Sequence, residues 1–261
     1  ARVSSVRSGR SADGEGPDLG GPSVPVLDAP TIGLFAGPGT SVYRVGEVWH
    51  LLSERYRLPV SLLDAEDAAR LDLDDYDVLV LSGFIFAWGE AEREAVAAWV
   101  RGGGTLVTLG RGMVTAAQAD WLDATVTEAD DDSTVVPYEQ RDRQRGAQAL
   151  GGSIFAVDLD PTHPLAYGYG PEVALFKQGA FFLAADSSNA EAVVGQYLDE
   201  PRLSGYVSTQ NLDALRGGAA VVANRMGRGR VIGIDGAPSF RAFWWGTQGL
   251  VANAVFFGQR F

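Results

Sequence analysis

Cysteine is absent from this 261-residue chain, and histidine occurs only twice. The first absence excludes disulfides, thiolate metal sites and a cysteine nucleophile among these residues. The second leaves little for a zinc site, because neither His50 nor His163 stands in a His-x-x-Glu or His-x-x-x-His pair. Cations are outnumbered as well: 21 Lys and Arg stand against 33 Asp and Glu, for a formal net charge of −12. That balance argues against a nucleic-acid partner, since phosphate binding leans on a concentrated cationic excess. No apolar run approaches the roughly 18–20 residues of a membrane-spanning helix. Arg2, Arg7 and Arg10 have no apolar block behind them of the kind that marks a signal peptide.

What is present is enough apolar side chain, 46% of residues, to bury one sizeable core. Residues 1–30 are rich in Gly, Ser, Pro and Asp without helical or strand periodicity and read as a linker or tail. Residues 31–261 read as one α/β domain. Ile32, Leu34 and Phe35 form a short buried strand closed by Gly37, Pro38 and Gly39. Val45, Val48 and Leu52 then mark one face of a helix over residues 43–56. Strands follow at residues 60–63 and 77–81, an amphipathic helix at 90–101, and a further strand at 105–109. Such unalternating apolar strands suit a parallel sheet covered on both faces, and their alternation with helices means a doubly wound three-layer sandwich.

Past Ala124 the pattern loosens. Asp130, Asp131 and Asp132 are an acidic break, and residues 141–145 read as a solvated helix or loop. Short apolar runs at 154–157, 173–176, 181–183 and 192–197 predict a mostly antiparallel extension of the sheet. Residues 219–224 and 230–235 flank a Gly227-Arg228-Gly229 turn and predict a hairpin. A closing helix is expected over residues 243–257, its aromatics packed on the sheet.

The chemistry centres on one turn. In three-layer α/β enzymes with a Cys or Ser nucleophile, that residue sits on a glycine-flanked bend between a central strand and the next helix. Gly110-Arg111-Gly112 follows the 105–109 strand, so Arg111 is expected where a nucleophile would stand, and a permanently protonated guanidinium cannot attack a carbonyl. The strand that should carry a basic histidine ends in Asp235-Gly236-Ala237-Pro238 instead. Gly37-Pro38-Gly39 lacks the spacing of a phosphate loop, and Asp72, Asp74, Asp75 and Asp77 miss the calcium-loop pattern and read as a solvated turn. No cofactor and no metal are expected.

Three stretches carry a family resemblance: Tyr43-Arg44-Val45-Gly46-Glu47-Val48-Trp49-His50, the run from His163-Pro164 through Tyr167-Gly168-Tyr169, and the run from Phe240-Arg241 through Trp244-Trp245-Gly246-Thr247 with Asn253 following. Together they resemble the C-terminal class I glutamine amidotransferase-like domain of large bacterial zinc carboxypeptidases, over roughly residues 31–261. The resemblance implies a fold of flavodoxin-like, amidotransferase type, a covalently linked peptidase domain or another protein partner, and an extracytoplasmic location. The peptidase's own zinc ligands, a His-x-x-Glu pair with a distant His, do not occur here.

The chain is thus expected to be a non-catalytic accessory or interaction domain. Three alternatives stay open: a binding domain for a small anionic or sugar-like ligand; an enzyme using Asp or Glu rather than Cys, although no carboxylate pair stands out at the strand ends; and a structural subunit of a larger assembly that would use exposed aromatics at residues 167–169 and near Trp88. If a ligand pocket exists, Glu47, Trp49, His50, Arg111, Arg241, Trp244 and Trp245 are expected to converge above the strand ends.

Overall fold

The unalternating apolar strands are buried on both faces because successive side chains point to opposite sides. A computed structural model describes residues 8–10, 16–21, 24, 26–83, 88–127, 137–185 and 187–261, with 187, 188 and 190 as backbone only. In chain order come β1 (Ile32–Ala36), α1 (Val42–Trp49), β2 (Val60–Asp64), β3 (Val78–Ser82), α2 (Glu90–Gly102), β4 (Thr105–Leu109) and α3 (Arg111–Gln118). The second half holds β5 (Ala124–Thr127), α4 (Arg141–Gln148), β6 (Ser153–Leu159), β7 (Glu172–Lys177), β8 (Phe182–Ala185) and β9 (Val193–Ser204). It ends with α5 (Thr209–Leu215), β10 (Ala219–Met226), β11 (Gly229–Ile234) and α6 (Gln248–Phe257). The main sheet runs β2-β1-β3-β4-β11-β10-β9-β6-β7. Its first five strands are parallel, and the next four pair antiparallel.

Period two sorts the core into two clusters. Ile32, Leu34, Val78, Val80, Val107, Ile232 and Ile234 face α1 and α6, packing on Val45, Val48, Leu250 and Val251. Phe35, Leu79, Leu81, Leu106 and Val231 face the other way, onto Val96, Val100, Met113 and Ala116 of α2 and α3. Each such aliphatic side chain, taken wholly out of water, contributes about 1.5–3 kcal/mol. The three-layer sandwich is therefore the arrangement in which neither half of each strand is left wet.

The second half departs from expectation in particular places. β8 does not extend the main sheet; it pairs with β5 in a separate two-stranded sheet, Ala124 opposite Ala185. An apolar run announces a strand but not its neighbour. The closing helix begins at Gln248 rather than near residue 243: residues 243–247 are turns and irregular backbone, and Arg241 and Ala242 before them have φ of 46° and 59°, values no α-helix accepts. Phe243 and Trp245 are exposed instead of packed on the sheet. α5 was not anticipated; its sequence signal is Ser208, whose Oγ accepts the Asn211 N–H at 3.2 Å as a helix N-cap. The solvated helix at 141–145 is α4, with no buried residue. The acidic break at 130–132 lies outside the described residues. Trp88 is buried, edge-on to Phe35 at 5.0 Å, with its Nε1 donating to the Ala65 carbonyl at 2.8 Å. Of the proposed exposed aromatics, Tyr167 is half exposed.

The 163–169 stretch turns out to clamp α6. Asn253 Nδ2 donates to the carbonyls of Leu165 and Tyr167, both at 2.9 Å, and the Tyr169 hydroxyl accepts the Leu250 N–H at 3.1 Å. His163 caps the short helical turn at Pro164–Ala166, its Nδ1 accepting the Leu165 N–H at 3.2 Å. Its ring sits edge-on to Phe261 at 4.5 Å. Burial moves its pKa below the ordinary histidine value, against the pull of Asp160.

The antiparallel wing also returns to the parallel half. β7 lies four places from β11 in the sheet, yet the Ala237 N–H just past β11 donates to the Phe176 carbonyl at 2.8 Å. Lys177, the only lysine in the sequence, reaches both oxygens of Asp235 at 2.8 Å. Tyr197 of β9 donates to the same carboxylate at 3.0 Å, and so does the Gly236 N–H at 2.7 Å. Lys177 and Asp235 have no solvent-exposed side-chain surface. Burial pushes the lysine below its ordinary pKa while Asp235 pulls it back up. Burial, then the Asp235 charge, drives the Tyr197 phenol well above its usual value.

Two outcomes are expected from these contacts. Lys177→Met strands a buried carboxylate and should lower the unfolding free energy by about 3–5 kcal/mol, most of which returns in K177M/D235N, where no uncompensated charge remains; urea denaturation reads both. Burial pushes Tyr169 from 10.0 to about 12, so between those values the unfolded state has lost a proton that the folded state keeps. Stability present below pH 10 is therefore lost as pH rises toward 12, and Tyr169→Phe should flatten that decline in urea titrations run across the interval.

Candidate functional site

The C-terminal ends of β3, β4 and β11 open on one edge of the sheet, where α/β proteins place their ligand sites. At the end of β4 the chain must leave a central strand and enter α3 within one residue. Gly110 makes that bend, with φ 54° and ψ −119°, a conformation closed to ordinary L-residues. A Cβ on Gly110 would stand 2.9 Å from the Gly236 carbonyl, and one on Gly112 only 2.3 Å from the Leu81 carbonyl. Both glycines are required by close backbone approach as much as by the turn.

This shifts the sequence-based expectation by one residue. The bend lies at the strand-to-helix corner as expected, but the residue on it is Gly110, and Arg111 is the first residue of α3. The position has no side chain at all, and the Arg111 guanidinium projects beside it, 5.8 Å from the Phe181 ring. Spacing alone marked the Gly-x-Gly turn; which of its three residues takes the strained conformation depends on where β4 stops.

Around the bend lies a cavity of about 230 Å³, lined among others by Ser41, Arg44, Glu47, Ser82, Arg111 and Ser239. A second cavity, of about 430 Å³, shares Ser41, Arg44, Glu47 and Gln178 with it and extends to Tyr43, Phe240 and Arg241. α1 supplies the wall between them. Its start is tied to the end of β3 by the Ser41 N–H donating to the Gly83 carbonyl at 2.7 Å. One turn on, Arg44 pairs with Glu47 at 2.8 Å and also donates to Gln178. The other Glu47 oxygen accepts the backbone N–H of Arg241 at 3.0 Å.

Of the seven pocket residues expected from sequence, Glu47, Arg111 and Arg241 line these cavities. Trp49, His50, Trp244 and Trp245 do not line them. Trp49 lies on the exposed side of α1, and Trp244 is tilted against Phe176 at 6.0 Å. Trp245 is stacked under the Arg55 guanidinium, 3.5 Å from its centroid. His50 opens a π-helical turn, His50–Arg55, that continues α1, and its buried Nδ1 has no hydrogen-bond partner among the described residues. Trp49 stands two residues from Glu47 and so points away from it on α1, while Trp244 and Trp245 follow the positive-φ residues Arg241 and Ala242 into a loop.

Sequence reasoning missed Arg44, Gln178 and Arg55. Arg55 organises the 240–248 loop: it donates to the Ala242 carbonyl at 2.7 Å, to the Gln248 side chain, and stacks on Trp245. Together with Glu47 it holds two consecutive non-glycine residues at positive φ. Arg44 and Glu47 stand three apart on a predicted helix, a visible signal for an ion pair, whereas nothing local points from Arg55 to a loop 187 residues away. Among the described residues no group of His, Asp and Glu is placed to hold a metal ion, and no helix is long and apolar enough to cross a membrane.

No protein-family model matches the chain, and no curated protein matches it. Solved structures do. A ThuA-like protein from Parabacteroides merdae aligns over 89% of this chain and 91% of its own, with a TM-score of 0.57 at 12% identity. PurLQS from Thermotoga maritima aligns over 87% and 98%, with a TM-score of 0.61 at 14% identity. A GMP synthase subunit from Thermoplasma acidophilum aligns over 87% and 92%, with a TM-score of 0.50 at 10% identity. At such identities the likeness is one of fold. The class is a glutamine amidotransferase-like, flavodoxin-like α/β sandwich with an antiparallel extension.

Gly110→Ala tests the bend. Its methyl group enters a forbidden backbone region against the Gly236 carbonyl, and a loss of about 1–3 kcal/mol is expected, read as a lowered midpoint in chemical denaturation. A neutral result would show that the corner is not strained at this residue.

Proposed function

We propose that this chain is a non-catalytic accessory or interaction domain with a degenerate amidotransferase-like site. The observation that carries this is Gly110: the strand-to-helix bend, where an α/β enzyme of this layout presents its nucleophile, bears only a hydrogen. The chain has no cysteine to recruit from elsewhere. Asp235, at the end of the neighbouring strand, has its oxygens engaged by Lys177, Tyr197 and Gly236 and is sealed from solvent. A carboxylate so placed is structural, since a general base must reach the proton it takes.

The partner we propose is a zinc carboxypeptidase, covalently linked or separate, in an extracytoplasmic setting. Support for it is the resemblance of the three stretches named above, and two of those stretches owe their residues to architecture: 163–169 clamps α6, and 240–247 forms the Arg55-bound loop. Exposed Phe243 and Trp245 on that loop favour a protein-contacting role over an isolated one.

The protein should release no ammonia from glutamine or from simple amides, at any enzyme concentration. Reproducible turnover that disappears in Arg111→Ala would contradict the proposal. The peptidase association is read separately, from the mass of the native polypeptide and from what co-purifies with it: a 261-residue species without a peptidase would remove that part.

A further inference from the structure

We propose that the two adjoining cavities form one receptor site for a small organic carboxylate with an apolar body. The first observation is a reversal of sign. The chain carries an excess of acidic residues, yet the cavity walls hold Arg44, Arg111 and Arg241 against a single carboxylate, Glu47. Arg111 and Arg241 are exposed at the cavity rims and Arg44 is partly buried; charge of one sign gathered around a concavity raises the local concentration of the opposite ion.

The second observation concerns which of these charges are free. Glu47 is committed on both oxygens, to Arg44 and to the Arg241 N–H. The guanidinium groups of Arg111 and Arg241 make no ion pair and donate no hydrogen bond among the described residues. Their positions are nonetheless set: Arg111 lies 5.8 Å from the Phe181 ring and Arg241 5.4 Å from that of Phe240. Each guanidinium presents a rigid planar fork of donors suited to two oxygens of a carboxylate.

The third is preorganisation. Arg241 and the residue after it are both held at positive φ by contacts from Glu47 and Arg55, and such over-determined backbone clusters at ligand clamps. The cavity sizes suit a small molecule. Guanidinium forks match phosphate as well as carboxylate, and with Glu47 offsetting one of the three positive charges the balance does not separate the two; the apolar surface of Tyr43, Phe181 and Phe240 does. An acid with an apolar body covers that surface, which inorganic phosphate leaves wet.

The site is read independently of the missing nucleophile, and the experiment separates the two. N-acetyl-phenylalanine serves as the probe, with N-acetyl-phenylalanine amide as the neutral analogue and inorganic phosphate as the competing anion, titrated by calorimetry into the intact chain. Saturable binding of the acid is expected, at least about tenfold weaker for the amide and weakened by added salt. Arg111→Gln and Arg241→Gln should each weaken it about tenfold, while Arg143→Gln on the solvated helix α4 leaves it unchanged. Melting curves confirm that each variant is folded, and Arg111→Gln suffices if Arg241→Gln is not. Absence of saturation, equal binding of the amide, indifference to Arg111→Gln, or tighter binding of phosphate than of the acid would each overturn the assignment. Acid recovered with its acetyl group cleaved would instead sink the non-catalytic reading and leave the receptor site standing.

Discussion

The buried pair of Lys177 and Asp235 is the constraint on which the rest of the molecule depends. Two charges with no water around them need each other and every available hydrogen bond, and here the bonds come from three different strands. Lys177 ends β7, Asp235 follows β11, and Tyr197 belongs to β9. Satisfying them forces the far edge of the antiparallel wing to curl back onto the last parallel strand. The same carboxylate accepts the Gly236 N–H, and the Gly236 carbonyl is the group that Gly110 must approach without a Cβ. The floor of the cleft is thus set by an ion pair that never meets solvent.

The opposite wall is set by Arg55 and Glu47. The π-helical turn at the end of α1 brings Arg55 against the 240–248 loop, and Glu47, eight residues earlier, fixes the Arg241 backbone. What the cleft presents to solvent is therefore cationic and aromatic although the chain as a whole is acidic. The strand-to-helix corner at its centre carries only the hydrogen of Gly110, and the Arg111 and Arg241 guanidiniums beside it have no ion-pair partner among the described residues.

Much of this was legible from residues alone. β4 was read with its observed bounds, and β1, β3, α2 and the β10–β11 hairpin were placed to within a residue or two, because each is a local pattern: apolar runs of strand length, helical spacing, a glycine turn. The Gly-x-Gly corner was visible for the same reason. What escaped were long-range partners. β8 reads as a strand whether it joins the main sheet or pairs with β5, and Asn253 reads as an ordinary helix residue until its two carbonyl acceptors arrive from residues 165 and 167. The expected convergence of four more pocket residues failed because Trp49 lies on the exposed side of α1 and the positive-φ turn at Arg241 and Ala242 carries Trp244 and Trp245 elsewhere.

The sequence by itself determined the layer architecture, the absence of a thiol nucleophile in this chain and the place of the strand-to-helix corner, since composition and local periodicity carry those. Only the tertiary structure decided that Gly110 rather than Arg111 occupies the bend, that the lone lysine is an internal strut, and that arginines scattered between residues 44 and 241 face one cleft. These depend on where the sheet curls, and curling is a property of packed strands acting together that no short window of residues encodes.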